Sequence, residues 1–259
     1  MIRGLYTAIS GMITQEAKQD VITNNLANAN TVGFKQDNLA AKQFDDVLIS
    51  NYDKISGGKN VKNYIGTLSM GSGIDEVKTD FTQGMIESTD KPTDFAIDGR
   101  GFFEVSRNDG IAANTYYSRD GHFHVNTAGY LVNDSGDNVL GTNVITGGTE
   151  PIYVGNGKIT VDAAGNMKVD NQLKYRFNFA DVNNPNDLTK VGDNLYSARN
   201  VTQVNAAVKQ NALEKSNVNV ISTMVDMMNV MRTFETNQKV VQAMDDTLGK
   251  AVNEVGSIR

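Results

Sequence analysis

Met224-Val-Asp-Met227-Met-Asn-Val-Met231-Arg-Thr-Phe234 opens the stretch whose reading decides the fold. Alternate steps of three and four trace Met224, Met227, Met231, Phe234, Gln238, Val241, Asp245, Leu248, Val252 and Val255, and eight of these ten positions are apolar. An apolar residue every 3.5 positions over more than four heptads is the pattern of a coiled-coil seam. The spacing predicts a helix of about 47 Å at 1.5 Å per residue, with Ser216, Asn217, Val218 and Asn219 ahead of it as the capping segment. The same stepping at the N-terminus picks out Ile2, Leu5, Ile9 and Met12, then turns polar at Glu16 and Gln19. Gly4 and Gly11 each weaken that helix by around 1 kcal/mol relative to alanine, so it needs a partner.

Between the ends the period falls to two. Pro92, Pro151 and Pro185 are the chain's three prolines, so neither end carries the residue that most strongly breaks a helix. Phe95 to Ile97 and Phe102 to Val105 flank the turn Asp98-Gly99-Arg100-Gly101, and Asn108-Asp109-Gly110 and Asp120-Gly121 carry the residues that hairpin turns favour. His122 to Val125, Tyr130 to Val132, Val139 to Leu140, Ile159 to Val161, Met167 to Val169 and Leu173 to Phe179 continue the series. Phe44 to Ile49 could extend a helix, whereas Asn51 to Asn63, polar and containing Gly57-Gly58, reads as an exposed loop. The predicted fold class is α+β: long N- and C-terminal helices forming a coiled-coil core, with a central antiparallel β-domain. Its expected parts are residues 1–35 (first helix and the motif after it), 36–90 (extended or loop connector), 91–200 (β-domain) and 201–259 (C-terminal coiled-coil helix packing on the first).

The chain has 259 residues and no cysteine, which excludes a disulfide framework, a thiolate zinc site and a cysteine nucleophile. Net charge is −6, and residues 71–199 carry the excess, with 18 acidic and 11 basic side chains. No segment has the clustered Lys/Arg footprint that nucleic acid requires. No run approaches the roughly 20 apolar residues of a membrane span, and the first residues lack the continuous apolar region of a cleaved signal peptide.

Chemical sites are few. His122-Phe123-His124 places two imidazoles on one strand face, but no third metal ligand is identifiable, so a solvent-facing pair is expected. Asp134, Asp137 and Glu150 could line a glycosidase-like cleft, although Asn133-Asp134-Ser135-Gly136-Asp137-Asn138 reads first as turn chemistry. Gly71-Ser72-Gly73 and Gly99-Arg100-Gly101 lack the spacing of phosphate loops. No catalytic residue, cofactor or metal is expected.

Asn24-Asn25-Leu26-Ala27-Asn28-Ala29-Asn30-Thr31-Val32-Gly33-Phe34-Lys35 closely resembles the N-terminal signature of the bacterial flagellar rod and hook proteins. Ser216-Asn217-Val218-Asn219-Val220 and the seam after it resemble the second signature, and Asp94 to Val105 with Tyr117 to Gly121 resemble segments of the same axial proteins. The likeness covers nearly the whole chain. It implies an assembly motif of Asn25, Leu26, Ala27, Asn28, Thr31, Gly33, Phe34, Lys35, Ser216, Asn217, Val218 and Asn219, with Leu5, Ile9, Met12 and the C-terminal apolar positions as the assembly seam. In residue terms, Asn28 and Thr31 are placed to close the first helix, Gly33 to reverse the chain and Phe34 to anchor it. The family implies a structural, non-enzymatic subunit of the basal-body rod, exported unfolded through the flagellar secretion apparatus. It would assemble helically with copies of itself and other rod and hook axial proteins into the shaft that transmits torque. Length, a single modest β-domain and the extra stretch near Asn51 to Asn63 favour the distal over the proximal rod. The alternatives are an enzyme acting on envelope polysaccharide and a coiled-coil adhesin.

Overall fold

The strand pairings of the central region in the computed structural model are antiparallel, as the two-residue period and the short glycine turns there dictate. The structure describes residues 2–56, 59–108, 113–184 and 187–255. The expected Asp109-Gly110 turn, Gly57-Gly58 and Pro185 lie outside the described residues, as do the side chains of Ile2 and Val255. The architecture is α+β, and the chain forms two units. One comprises residues 1–26, 37–78 and 219–259, the other residues 27–36 and 79–218.

The second unit contains the core. Strands Ile159–Val161, Asn166–Val169, Gln172–Phe177, Asn138–Asn143, Phe102–Asn108, Ala113–Ser118, Leu195–Ala198 and Leu188–Gly192 lie side by side in that order. Alternate residues turn inward, so Phe103, Val105, Val139, Met167 and Leu195 are buried with Phe95, Phe123 and Leu131. Phe95 and Phe103 meet Phe177 edge-on at 5.1 and 5.6 Å, within the spacing such ring pairs prefer. Two strands from late in the chain complete the unit: Ala207–Gln210 pairs with Phe95–Asp98, and Ala212–Glu214 with Ile86–Ser88.

Asp120-Gly121 is not a hairpin, contrary to the sequence reading. Ala113–Ser118 pairs with strands on either side, while His124–Val125 pairs with Leu131–Val132. Glycine is needed at 121 because a Cβ there would lie 1.7 Å from the Phe95 carbonyl oxygen.

In the first unit, helix α1 spans Ile2–Ala27 and helix α2 spans Val220–Lys250, continued by a π-helical turn at Ala251–Val255. They run antiparallel. A Cβ on Gly4 would lie 2.7 Å from Met244 Cε and one on Gly11 3.1 Å from Asn237 Nδ2, so the glycines mark where α2 approaches. Strand Asp37–Gln43 pairs with Ser72–Thr79, and Thr14 Oγ1 lies 3.2 Å from Ser72 Oγ, fastening α1 to that pair.

Two expectations fail in this unit. Residues 44–49 do not extend a helix, and Asn51 to Asn63 is not a loop: Val47–Ser56 and Lys59–Leu68 form one long ribbon. Its alternation was hidden because neither face is buried. Leu48, Tyr52, Ile55, Tyr64 and Ile65 all stand exposed.

Candidate assembly site

The two signature segments meet inside the second unit. Past the end of α1, the backbone NH of Thr31 donates to Asn28 O and its hydroxyl to Asn28 Oδ1. Gly33 then reverses the chain at φ +67°, a conformation that disfavours a side chain, and its NH donates to Glu214 O at 2.8 Å. A Cβ at 33 would sit 2.6 Å from the Arg119 carbonyl carbon, where only backbone could yield. Phe34 is buried, with the Lys190 ammonium 4.5 Å above its ring.

Lys35 follows with a side chain only 1% exposed, ion-paired to the equally buried Glu214. Its ammonium also donates to Thr82 O at 2.7 Å. Glu214 spreads its charge further: Oε1 accepts from Gly84 NH at 2.8 Å, and Oε2 from Arg119 Nη1 at 3.1 Å. Arg119 Nη2 donates to Gly99 O at 2.6 Å, while its buried Nε has no hydrogen-bond partner among the described residues. Burial lowers the affinity of Lys35 and of Arg119 for their protons, and Glu214 opposes that in both. One carboxylate thus holds two buried cations from distant parts of the chain.

Asn217 works beside it. Its Oδ1 accepts from Gln36 NH at 2.8 Å and its Nδ2 donates to Asp80 O at 2.8 Å, while Asp80 NH donates to Gln36 O. Ser216 Oγ accepts from Val218 NH, and Val218 is buried. In the first unit, Asn25 grips the backbone of Asp37 from both sides, donating to its carbonyl at 2.7 Å and accepting from its NH at 2.9 Å. Asn219 caps α2, accepting from Ile221 NH and Ser222 NH. Leu26 is half-buried and Ala27 exposed.

The predicted seam on α2 divides. Met227, Phe234, Val241 and Leu248 are half-buried, but Met224, Met231 and Val252 are exposed. The covered stripe instead combines those four with Thr223, Val230, Asn237 and Met244. It has the expected heptad step, displaced by one residue at alternate positions. What remains outside is a second apolar stripe: Ile221, Met224, Val225, Met228 and Met231, from 46 to 78% exposed. Leu5, Ile9 and Met12 of α1 are half-buried, and Tyr6 and Ile13 stand exposed on that helix.

Three family models match this chain: a flagellar basal-body rod protein model over residues 5–35, a flagellar hook protein FlgE/F/G D1 domain model over 96–189, and a flagellar basal-body rod FlgEFG C-terminal model over 209–254. The flagellar hook-basal body complex protein FlhO of Bacillus subtilis is 32% identical across the full length of both chains. The basal-body rod protein FlgG of the same bacterium is 33% identical over 98% of this chain and 99% of its own. The chain belongs to the flagellar basal-body rod protein family. The rod protein FlgF of Caulobacter vibrioides also matches, at 32% identity over both full lengths.

In this rod-family chain the carboxylates weighed for catalysis have structural partners. Arg107 holds Asp137 through Nε at 2.8 Å and Nη2 at 3.0 Å, and Asn143 donates to Glu150 at 2.6 Å. Asp134 lies beside both histidines. No helix among the described residues is long and apolar enough to cross a membrane.

Sequence reasoning missed Glu214 and Arg119 as the centre of the rod-family junction. Lys35 and Glu214 are 179 positions apart, so no local pattern links them.

Proposed function

We propose that this chain is a structural subunit of the flagellar basal-body rod. It assembles helically with copies of itself and with other rod and hook axial proteins, in the distal rather than the proximal rod. The observation that carries this reading is the double character of α2, one stripe covered by the chain itself and a second, from Ile221 to Met231, left bare. Neighbouring copies cover that stripe, completing the coiled-coil core that one antiparallel helix pair leaves half built. Contacts of this kind join different surfaces of successive copies and generate an open helix rather than a closed oligomer. The exposed ribbon Val47–Leu68 gives neighbours a further surface and, with the single β-domain, supports the distal assignment.

Export through the flagellar secretion apparatus, without a cleaved signal, belongs to the same proposal. The terminal helices then order only on reaching the growing tip, by coupled folding and binding. The test is Met231→Asp. Its side chain is half exposed, so the β-domain should melt as before, within about 0.5 kcal/mol, while purified basal bodies lack a complete rod and cells do not swim. Normal rods carrying Met231→Asp would overturn the proposal.

A further inference from the structure

We infer that His122, His124 and Asp134 form a binding site for one divalent transition-metal ion of the zinc, nickel and copper class. The inference is independent of the rod assignment. The chain has two histidines, and both face the same carboxylate: His122 Nε2 and His124 Nδ1 each lie 3.9 Å from Asp134 Oδ1.

The backbone builds this meeting. Leu131–Val132 pairs antiparallel with His124–Val125, with Val132 opposite His124, so two further residues along the register bring 134 towards 122. His122 and His124 share a side of the chain because successive side chains of extended backbone alternate. The tight Asn133–Asp137 turn then fixes where Asp134 stands: Asn133 Oδ1 accepts from Asp137 NH at 2.7 Å and its Nδ2 donates to Asp137 Oδ2.

His122 is also oriented as a metal ligand requires. Its Nδ1 is 2.8 Å from Asp94 Oδ1, and Asp94, almost wholly buried, is itself held by Thr89 Oγ1 at 2.7 Å. Assigned from that contact, the ring carries its proton on Nδ1 and directs the Nε2 lone pair towards Asp134. This carboxylate–histidine relay is how proteins orient and strengthen imidazole ligands. The Asp120 carboxylate accepts from the His122 backbone NH at 2.9 Å and helps to fix the chain there.

Among the described residues no three such groups already stand at coordination spacing. Ligand atoms around a tetrahedral ion with bonds near 2.0–2.1 Å are about 3.3 Å apart. Both imidazole–carboxylate separations must therefore close by about 0.6 Å, and the Asp134 side chain, 67% exposed, can rotate to supply that movement. Two imidazoles and one carboxylate select zinc, nickel or copper over magnesium and calcium, which prefer all-oxygen shells. The fourth position is left to water.

Calorimetric titration of the full chain with zinc chloride tests the site. One ion per chain is expected, with affinity falling by at least about tenfold in both His124→Ala and Asp134→Ala. Both substitutions remove exposed side chains, and unchanged far-UV circular dichroism confirms that each variant is folded. No zinc uptake by the unaltered chain, or uptake of equal affinity by the two variants, would overturn the inference.

Discussion

The two units of this chain solve the same problem in opposite ways. In residues 27–36 and 79–218, a core of aromatic and aliphatic side chains is enclosed, although Met85 and Ile145 stand out in water, and buried charges find partners within the unit: Lys35 and Arg119 share Glu214, and Arg107 takes Asp137. In residues 1–26, 37–78 and 219–259, two long helices and a two-stranded ribbon leave Tyr6, Ile13, Ile55, Ile65, Ile221 and Met228 in water. Isolated two-stranded ribbons and single helices are marginal in water. The first arrangement describes a part that is finished alone, the second a part that is finished by neighbours. Substitutions should therefore separate into those that lower stability and those that lower assembly.

The largest loss of stability is expected from Glu214→Leu, which leaves Lys35 and Arg119 buried without their counter-charge. Breaking a buried pair in this way costs about 3–5 kcal/mol, and chemical denaturation of the purified chain should show the β-domain unfolding at much lower denaturant. An unchanged midpoint would mean that the second unit is not the self-sufficient half. Gly33→Ala comes next. The left-handed backbone costs a non-glycine residue roughly 1–2 kcal/mol, and contact with the Arg119 backbone adds to it, so the same midpoint falls by a smaller step. Asn219→Ala should cost only about 1 kcal/mol, the usual value of an N-cap. Its effect belongs to the helical signal of the first unit, and a shift in β-domain melting would blur the contrast.

How much was legible follows the same division. The β-domain could be read where a strand buries one face and not the other, so the Met167 to Val169 segment alternates visibly. Both helices could be read from their apolar steps and from Asn219 ahead of α2. The ribbon could not, because with both faces exposed Tyr52, Ile55, Tyr64 and Ile65 have no inward partner set to impose a period. The seam was displaced because α2 carries two neighbouring stripes, 223/230/237/244 beside 224/231, which share Met227 and Phe234 as a common border. The Lys35–Glu214 pair and the approach of Asp134 to the histidines depend on contacts between separate segments. A single sequence carries no short-range sign of either.

The central claim is that the outer stripe of α2 is covered by other copies. The chain has no cysteine, so Met228→Cys introduces a single thiol at the middle of that stripe. Its labelling by a water-soluble maleimide should be rapid in the monomer and strongly suppressed in assembled rods. Equal labelling in both states would contradict the account.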